Sequence, residues 1–453
     1  MGVGRRSDLR DMAWLAAPIV LTNVGMQLMG VVDAMMVGRL GGPAIAAVAL
    51  GNFYVFNTSI FGVGLLFALD PVVSQALGAG AHDDAACGIQ RGLVMALGIA
   101  AAVSLMLMPA EPVLRLLGQP PEVVHETGVY VRHRALGMLP FFLFVSMRQA
   151  LQALGTTRPV VLAVLLANVV NAFANWVLIT GQLGAPALGV AGSGFATALA
   201  TWSMAVMTWA FSAPVLATFV RPWRIETLAW GPLGRTLRIG MPIGAQFFLE
   251  SFAFGLTALF MGWMSTASLA GHEIALNMAA LTFMVPLGIS GAAAAVVGRA
   301  IGRGDIAAAR RDAVAAIICG VGFMCLTAAL FLVAPEWLAR RYTADVATVA
   351  VAAALLPLAG MFQVFDGLQA VTGGVLRGTG DTRVPAILHM VAFWCVGVPL
   401  GAFLGFRTPL RERGLWIGLV AGLATAAILQ SWRVAVRLRG TIARLSVERE
   451  LPG

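Results

Sequence analysis

Three carboxylates stand where a carboxylate is costly. Asp33 lies in GMQLMGVVDAMMVG, Glu250 in GAQFFLESFAFG and Asp366 in GMFQVFDGLQAV, each well inside a long apolar run. A charged group at the centre of a bilayer costs about 2.5–3.5 kcal/mol even on a lenient insertion scale, so such groups face a bundle interior or water and mark a working site. A carboxylate held there can take up and release a proton, or can hold Na+ together with neutral oxygens. The neutral oxygens are at hand. The fifth apolar run, LLANVVNAFANWVLITG, carries Asn168, Asn171 and Asn175. Asn171 and Asn175 are four apart and share one helix face. Thr197 follows in GVAGSGFATALA. Asn171, Asn175 and Thr197 are therefore candidates to surround Asp33, with plain interhelical hydrogen bonding as the competing role. Met26, Gln27 and Met29 beside Asp33, and Gln246 beside Glu250, are candidates to line a substrate cavity, although Met is as readily used for core packing. Asp70, next to Pro71, and Glu273, beside His272, sit near run ends, where a local hydrogen bond is the simpler reading.

The elements that must position these groups follow from composition. Of the 453 residues 59% are hydrophobic and 11% charged, against about 25% charged in a soluble domain. Twelve apolar runs reach the roughly 20 residues that cross a bilayer core as a helix: near 13–37, 47–72, 88–109, 129–151, 159–180, 189–215, 237–262, 272–297, 313–334, 347–374, 384–405 and 414–436. The 52 glycines suit close helix contacts in lipid. Alternating ten-residue strands are absent, which argues against a membrane β-barrel. The first run is too long for a cleaved signal and has no clear A-x-A site. The expected fold is an all-α membrane protein with twelve transmembrane helices.

All 30 basic residues are Arg. With twelve spans both ends share a side, and 20 of the 30 fall there, among them Arg5, Arg6, Arg10, Arg310, Arg311 and five in the tail. Nine fall on the other side and Arg148 lies within a span. This bias predicts cytoplasmic termini. The net charge of +9 is spread over many short loops, which fits contact with anionic lipid and not nucleic-acid binding. The four cysteines show no metal-binding or disulfide spacing.

The chain also repeats itself. At a shift of 224 residues Pro18 falls on Pro242, Gly38 on Gly262, Gly64 on Gly288, and Gly78 and Gly80 on Gly302 and Gly304. At a shift of 225 Gly155 meets Gly380, and Thr157-Arg158 meets Thr382-Arg383. Two six-helix lobes of like orientation are expected, residues 1–219 and 236–453, joined by a cytoplasmic linker at 220–235; the second lobe carries the basic tail. Such parallel repeats are a known plan for secondary transporters, with a substrate cavity between the bundles. The acids break the symmetry: Asp33 corresponds to Thr257, Glu250 to Met26 and Asp366 to Phe141. A P-loop is excluded because it needs Lys, and no dinucleotide fingerprint follows a strand. A cofactor-free transporter driven by an ion gradient is expected, not an enzyme. A channel would need a selectivity filter or pore ring, and none is visible.

Twelve spans in two bundles, GVVDAMMVGRLG in the first span, NAFANWVLITG in the fifth, FFLES in the seventh and QVFDGLQAVTGGVLRGTGDTRVP at the tenth resemble the multidrug and toxic compound extrusion (MATE) family over nearly the whole chain. Glu250 and Asp366 make the resemblance closest to the NorM-like branch. The resemblance implies export of organic cations and drugs from a bacterium across its inner membrane, in exchange for Na+ or H+, by a single chain acting alone. It also implies that Asp33, with Asn171, Asn175 and Thr197, takes part in coupling, and that Glu250 and Asp366 bind cations. Some members have Asp where this chain has Asn175, so the first-half site is less acidic here. The related alternative is a flippase for lipid-linked oligosaccharides; its anionic cargo calls for a cavity lined by Arg, whereas the clear mid-span charges here are acids.

Overall fold

The computed structural model describes residues 6–447, and Arg5 and Arg449 of the basic termini lie outside them. Among the described residues there is no strand. The chain begins with α1 (Arg6–Val37), α2 (Gly42–Leu66), α3 (Leu69–Gly78) and α4 (His82–Leu107). It continues through α5 (Ala110–Leu116), α6 (Pro121–Ala135), α7 (Met138–Leu154), α8 (Arg158–Thr180) and α9 (Gly189–Val220). The second half holds α10 (Trp230–Met264), α11 (Thr266–Gly302), α12 (Ile306–Val333), α13 (Pro335–Ala339) and α14 (Val346–Gly378). It ends with α15 (Arg383–Met390), a π-helical segment Val391–Gly397, α16 (Val398–Arg407) and α17 (Arg411–Arg437).

Eleven helical segments among the described residues are long and apolar enough to cross a membrane, with α2–α3 and α15–α16 each counting as one. The apolar helix α7 is shorter, at 17 residues. Together they make the twelve expected, with one correction of position. The run at 129–151 is not one helix, because α6 stops at Ala135 and α7 starts at Met138. The break also requires glycine. A Cβ on Gly137 would lie 2.5 Å from Thr201 Oγ1 and 3.0 Å from Ala198 Cα, so α9 presses on the chain at that point. Helix ends follow local chemistry elsewhere. Gly155 (φ 76°) and Gly181 (φ 72°) close α7 and α8 in the left-handed conformation that glycine adopts freely. Asp305 caps α12 by accepting from Ala308 N at 2.8 Å. Asp305→Ala should therefore lower stability by about 1 kcal/mol, read as a lower thermal midpoint in detergent; an unchanged midpoint would mean that water replaces the cap.

By contacts the chain forms two compact units. One holds residues 21–77 and 81–244 with Ser446 and Val447; the other holds the chain up to Val20, residues 78–80 and 245–445. The core of the first unit gathers Val55, Leu69, Phe142, Phe144, Val164 and Met204 among others. The second unit has two clusters, one around Ala293, Val297, Ala316 and Val371, the other around Phe331, Phe362, Phe393 and Trp416.

Candidate functional site

Asp33 is 2% exposed on α1, and α8 and α9 bring it three donors. Asn171 Nδ2 donates to Asp33 Oδ1 at 2.9 Å and Asn175 Nδ2 donates to the same oxygen at 2.6 Å. Thr197 Oγ1 lies 2.9 Å from Asp33 Oδ2, and equally far from Ser193 O. Asn175 Nδ2 is also 3.2 Å from Asn171 Oδ1. The helix spacing explains the geometry: one turn of α8 separates the two amides, so both reach one carboxylate oxygen. The cluster is buried throughout, with Asn171 and Asn175 fully enclosed. Asn175 Oδ1 has no hydrogen-bond partner. Turning that amide would bring its oxygen towards the carboxylate, so the cluster can present donors to a bare carboxylate or oxygens to a cation. Asn171, Asn175 and Thr197, the three residues expected around Asp33, thus meet it here.

The second unit holds another cluster. Glu250 on α10 is half-buried and Asp366 on α14 is 6% exposed. The two carboxylates are close enough to interact through their charges. His389, at the end of α15 and 1% exposed, places Nε2 3.4 Å from Glu250 Oε2. Gln369, three residues beyond Asp366 on the same face of α14, places Nε2 3.1 Å from His389 Nδ1. Among the described residues no group of three or more His, Cys, Asp or Glu side chains could hold a metal ion. A monovalent cation at either cluster would thus rely on one or two carboxylates and on neutral oxygens.

The other candidates are spread out. Met29 is buried in the core of the first unit and Met26 packs beside it. Met26 Sδ lies 3.7 Å from Arg148 Nη1, which also donates to Asn23 Oδ1 at 3.2 Å. Gln27 is half-buried and Gln246 is 9% exposed. Asp70 is buried and accepts from Gln149 Nε2 at 2.8 Å. Glu273 is exposed, while its neighbour His272 is buried and accepts from Trp416 Nε1 at 3.2 Å. His389 and Gln369 were not expected at the site. The available signal was an imidazole inside an apolar run, but only the fold shows that it meets Glu250.

A family model named MatE matches residues 18–177 and again 242–403. The chain belongs to the MatE family. The two matched segments start on Pro18 and Pro242, the pair that opened the internal repeat, so the MatE unit occurs twice. A curated relative from Mesorhizobium japonicum, a probable multidrug resistance protein NorM, is 37% identical over 94% of this chain and 93% of its own length. The multidrug resistance protein PmpM of Pseudomonas aeruginosa is 35% identical over 96% of this chain and 92% of its own. The crystal structure of the eukaryotic MATE transporter AtDTX14 superposes with a TM-score of 0.88 at 22% identity, covering 96% of this chain and 98% of that one. The chain therefore has the MatE transporter fold over most of its length, on the NorM-like side of the family, and is not an enzyme.

Proposed function

We propose that this MatE protein is an antiporter that exports organic cations and drugs across a bacterial inner membrane by alternating access, coupled to Na+ or H+. The observation that carries the reading is Asp33: a buried carboxylate inside a span, held by two amides and a hydroxyl from two further helices. Bacterial relatives named as multidrug resistance proteins over most of their length support the cargo class. The Arg bias supports cytoplasmic termini. The repeat supports two lobes, at residues 1–219 and 236–453, with 220–235 as linker. The chain works as a monomer and needs no cofactor. An external cation binds at Asp33, or at Glu250 and Asp366, favours release of the drug and carries the protein back. That requires drug and ion to differ in their affinity for the two states, since a ligand with equal affinity for both shifts nothing.

The test loads cells expressing the full chain with the fluorescent cation ethidium and imposes Na+ and pH gradients separately. Efflux faster than in control cells under one of the two gradients is expected, and that gradient names the ion. If neither gradient moves ethidium, the reading fails and flipping of a lipid-linked oligosaccharide becomes the function to assay.

A further inference from the structure

Glu250 does not stand in an undifferentiated apolar wall. Two titratable groups of the second unit lie beside it, Asp366 through charge and His389 by contact. His389 is 1% exposed and its Nε2 has no hydrogen-bond partner. A buried polar nitrogen left unpaired is costly, and Glu250 Oε2 lies 3.4 Å from it. A small rotation of either side chain closes that gap to a hydrogen bond.

The other face of the imidazole is fixed. Gln369 Nε2 stands 3.1 Å from Nδ1. With the amide donating there, Nδ1 is the acceptor and the ring hydrogen sits on Nε2, the nitrogen 3.4 Å from the carboxylate. Phe393 stacks on the ring with centroids 4.6 Å apart. This stacking falls where α15 passes into the π-helical segment, a distortion often found at working sites. The segment is held against α10 by two aromatic pairs: Phe254 meets Phe393 edge-on at 5.9 Å, and Phe252 stacks on Trp394 at 5.7 Å. The elements on either side of the contact are therefore held in register by neighbours one turn away.

We propose that His389 is a positioning residue for the coupling ion: Gln369 sets its tautomer, and its Nε2–H steers the Glu250 carboxylate towards Asp366. This rests on the antiporter reading and assigns to that reading a residue that neither carries the ion nor touches the drug. The arrangement copies, without a metal, the way an outer hydrogen bond orients a ligating side chain, where loss of the partner weakens ion binding by about 10- to 100-fold.

The test uses the full chain in liposomes with ethidium as cargo. His389→Leu should raise the half-saturating concentration of the driving ion by about tenfold or more and leave half-saturation by ethidium unchanged. His389→Gln, which keeps a donor, should recover most of that loss. In a Glu250→Gln background His389→Leu should add nothing to the ion dependence. Unchanged ion dependence in His389→Leu, or equal damage from Leu and Gln, would overturn the assignment. A second measurement separates this from failure of the antiporter reading. If the unaltered chain moves no ethidium under either gradient, the antiporter reading fails, and thermal unfolding of the unaltered chain, His389→Leu, Glu250→Gln and the double variant still decides the contact. The two substitutions should be non-additive in Tm; additive shifts would overturn it.

Discussion

Asp33→Asn, present in the membrane at the level of the unaltered chain, is expected to lose gradient-driven ethidium efflux by at least about tenfold, within the range of typical coupling energies. Asn has nearly the shape of Asp. Its amide oxygen can still accept from Asn171 and Asn175, whose Nδ2 atoms reach Asp33 Oδ1 at 2.9 and 2.6 Å. Its amide nitrogen would replace Oδ2 beside Thr197, whose hydroxyl can turn to Ser193 O, already 2.9 Å away. The helices should therefore stay assembled. What disappears is the charge, and with it the ability to exchange a bound proton or Na+. Energy-independent exchange of labelled for unlabelled ethidium should survive better than driven export. The split between the two assays is the diagnostic. Driven export equal to that of the unaltered chain would sink the coupling role of Asp33. Asp33→Ala is a poorer probe, because it removes the acceptor that Asn171, Asn175 and Thr197 share, leaves the buried Asn171 Nδ2 without one, and so confounds coupling with folding.

Much of this site was legible because its determinants are local. An acid in an apolar run, two amides one helical turn apart and a hydroxyl in the next run need only helical geometry to converge, and they do so at Asp33. The repeat was legible for a similar reason. Gly80 and Gly304 both adopt positive φ, at 70° and 76°, as do Gly155 and Gly380 at 76° and 79°, so the matching glycines mark the same backbone turns in each half. What was not legible depends on distant contacts. The apolar character runs on across Leu136–Gly137–Met138, and the close approach of α9 at Ala198 and Thr201, which leaves no room for a Cβ at Gly137, is a contact between residues about 60 apart in the chain. The π-helical register after Met390 depends on Phe252 and Phe254, more than 130 residues earlier in the chain. His389 gained its meaning from that register. Read alone it was one imidazole among apolar side chains, with nothing to tell a packed histidine from a partner of Glu250.

The same dependence on distant backbone gives Gly418→Val a large expected effect on the fold. A Cβ on Gly418 of α17 would lie 2.3 Å from Gly401 Cα, 2.5 Å from Gly401 N and 2.6 Å from Gly397 O. These are backbone atoms of α16 and of the π-helical segment, and they cannot rotate away as a side-chain tip would. In lipid, where neighbouring acyl chains are as apolar as Leu, helices gain little from apolar contact alone and hold together by close backbone packing across small residues. Overpacking a well-fitted core typically costs about 1–3 kcal/mol, and here two helices must move apart to make room. Gly418→Val is expected to lower the thermal midpoint in detergent sharply and to reduce the yield of monodisperse protein. Gly322→Val is the control, since a Cβ at that position on α12 has nothing within 4 Å; it should melt close to the unaltered chain. Equal midpoints for the two variants would refute the seam. The damage should also reach the second acidic cluster. Gly397 ends the π-helical segment that begins two residues after His389, so displacing it from α17 removes the backing against which the imidazole faces Glu250. A small volume added on α17, far in sequence from any acid, is thus expected to act on the ion dependence of whatever transport remains.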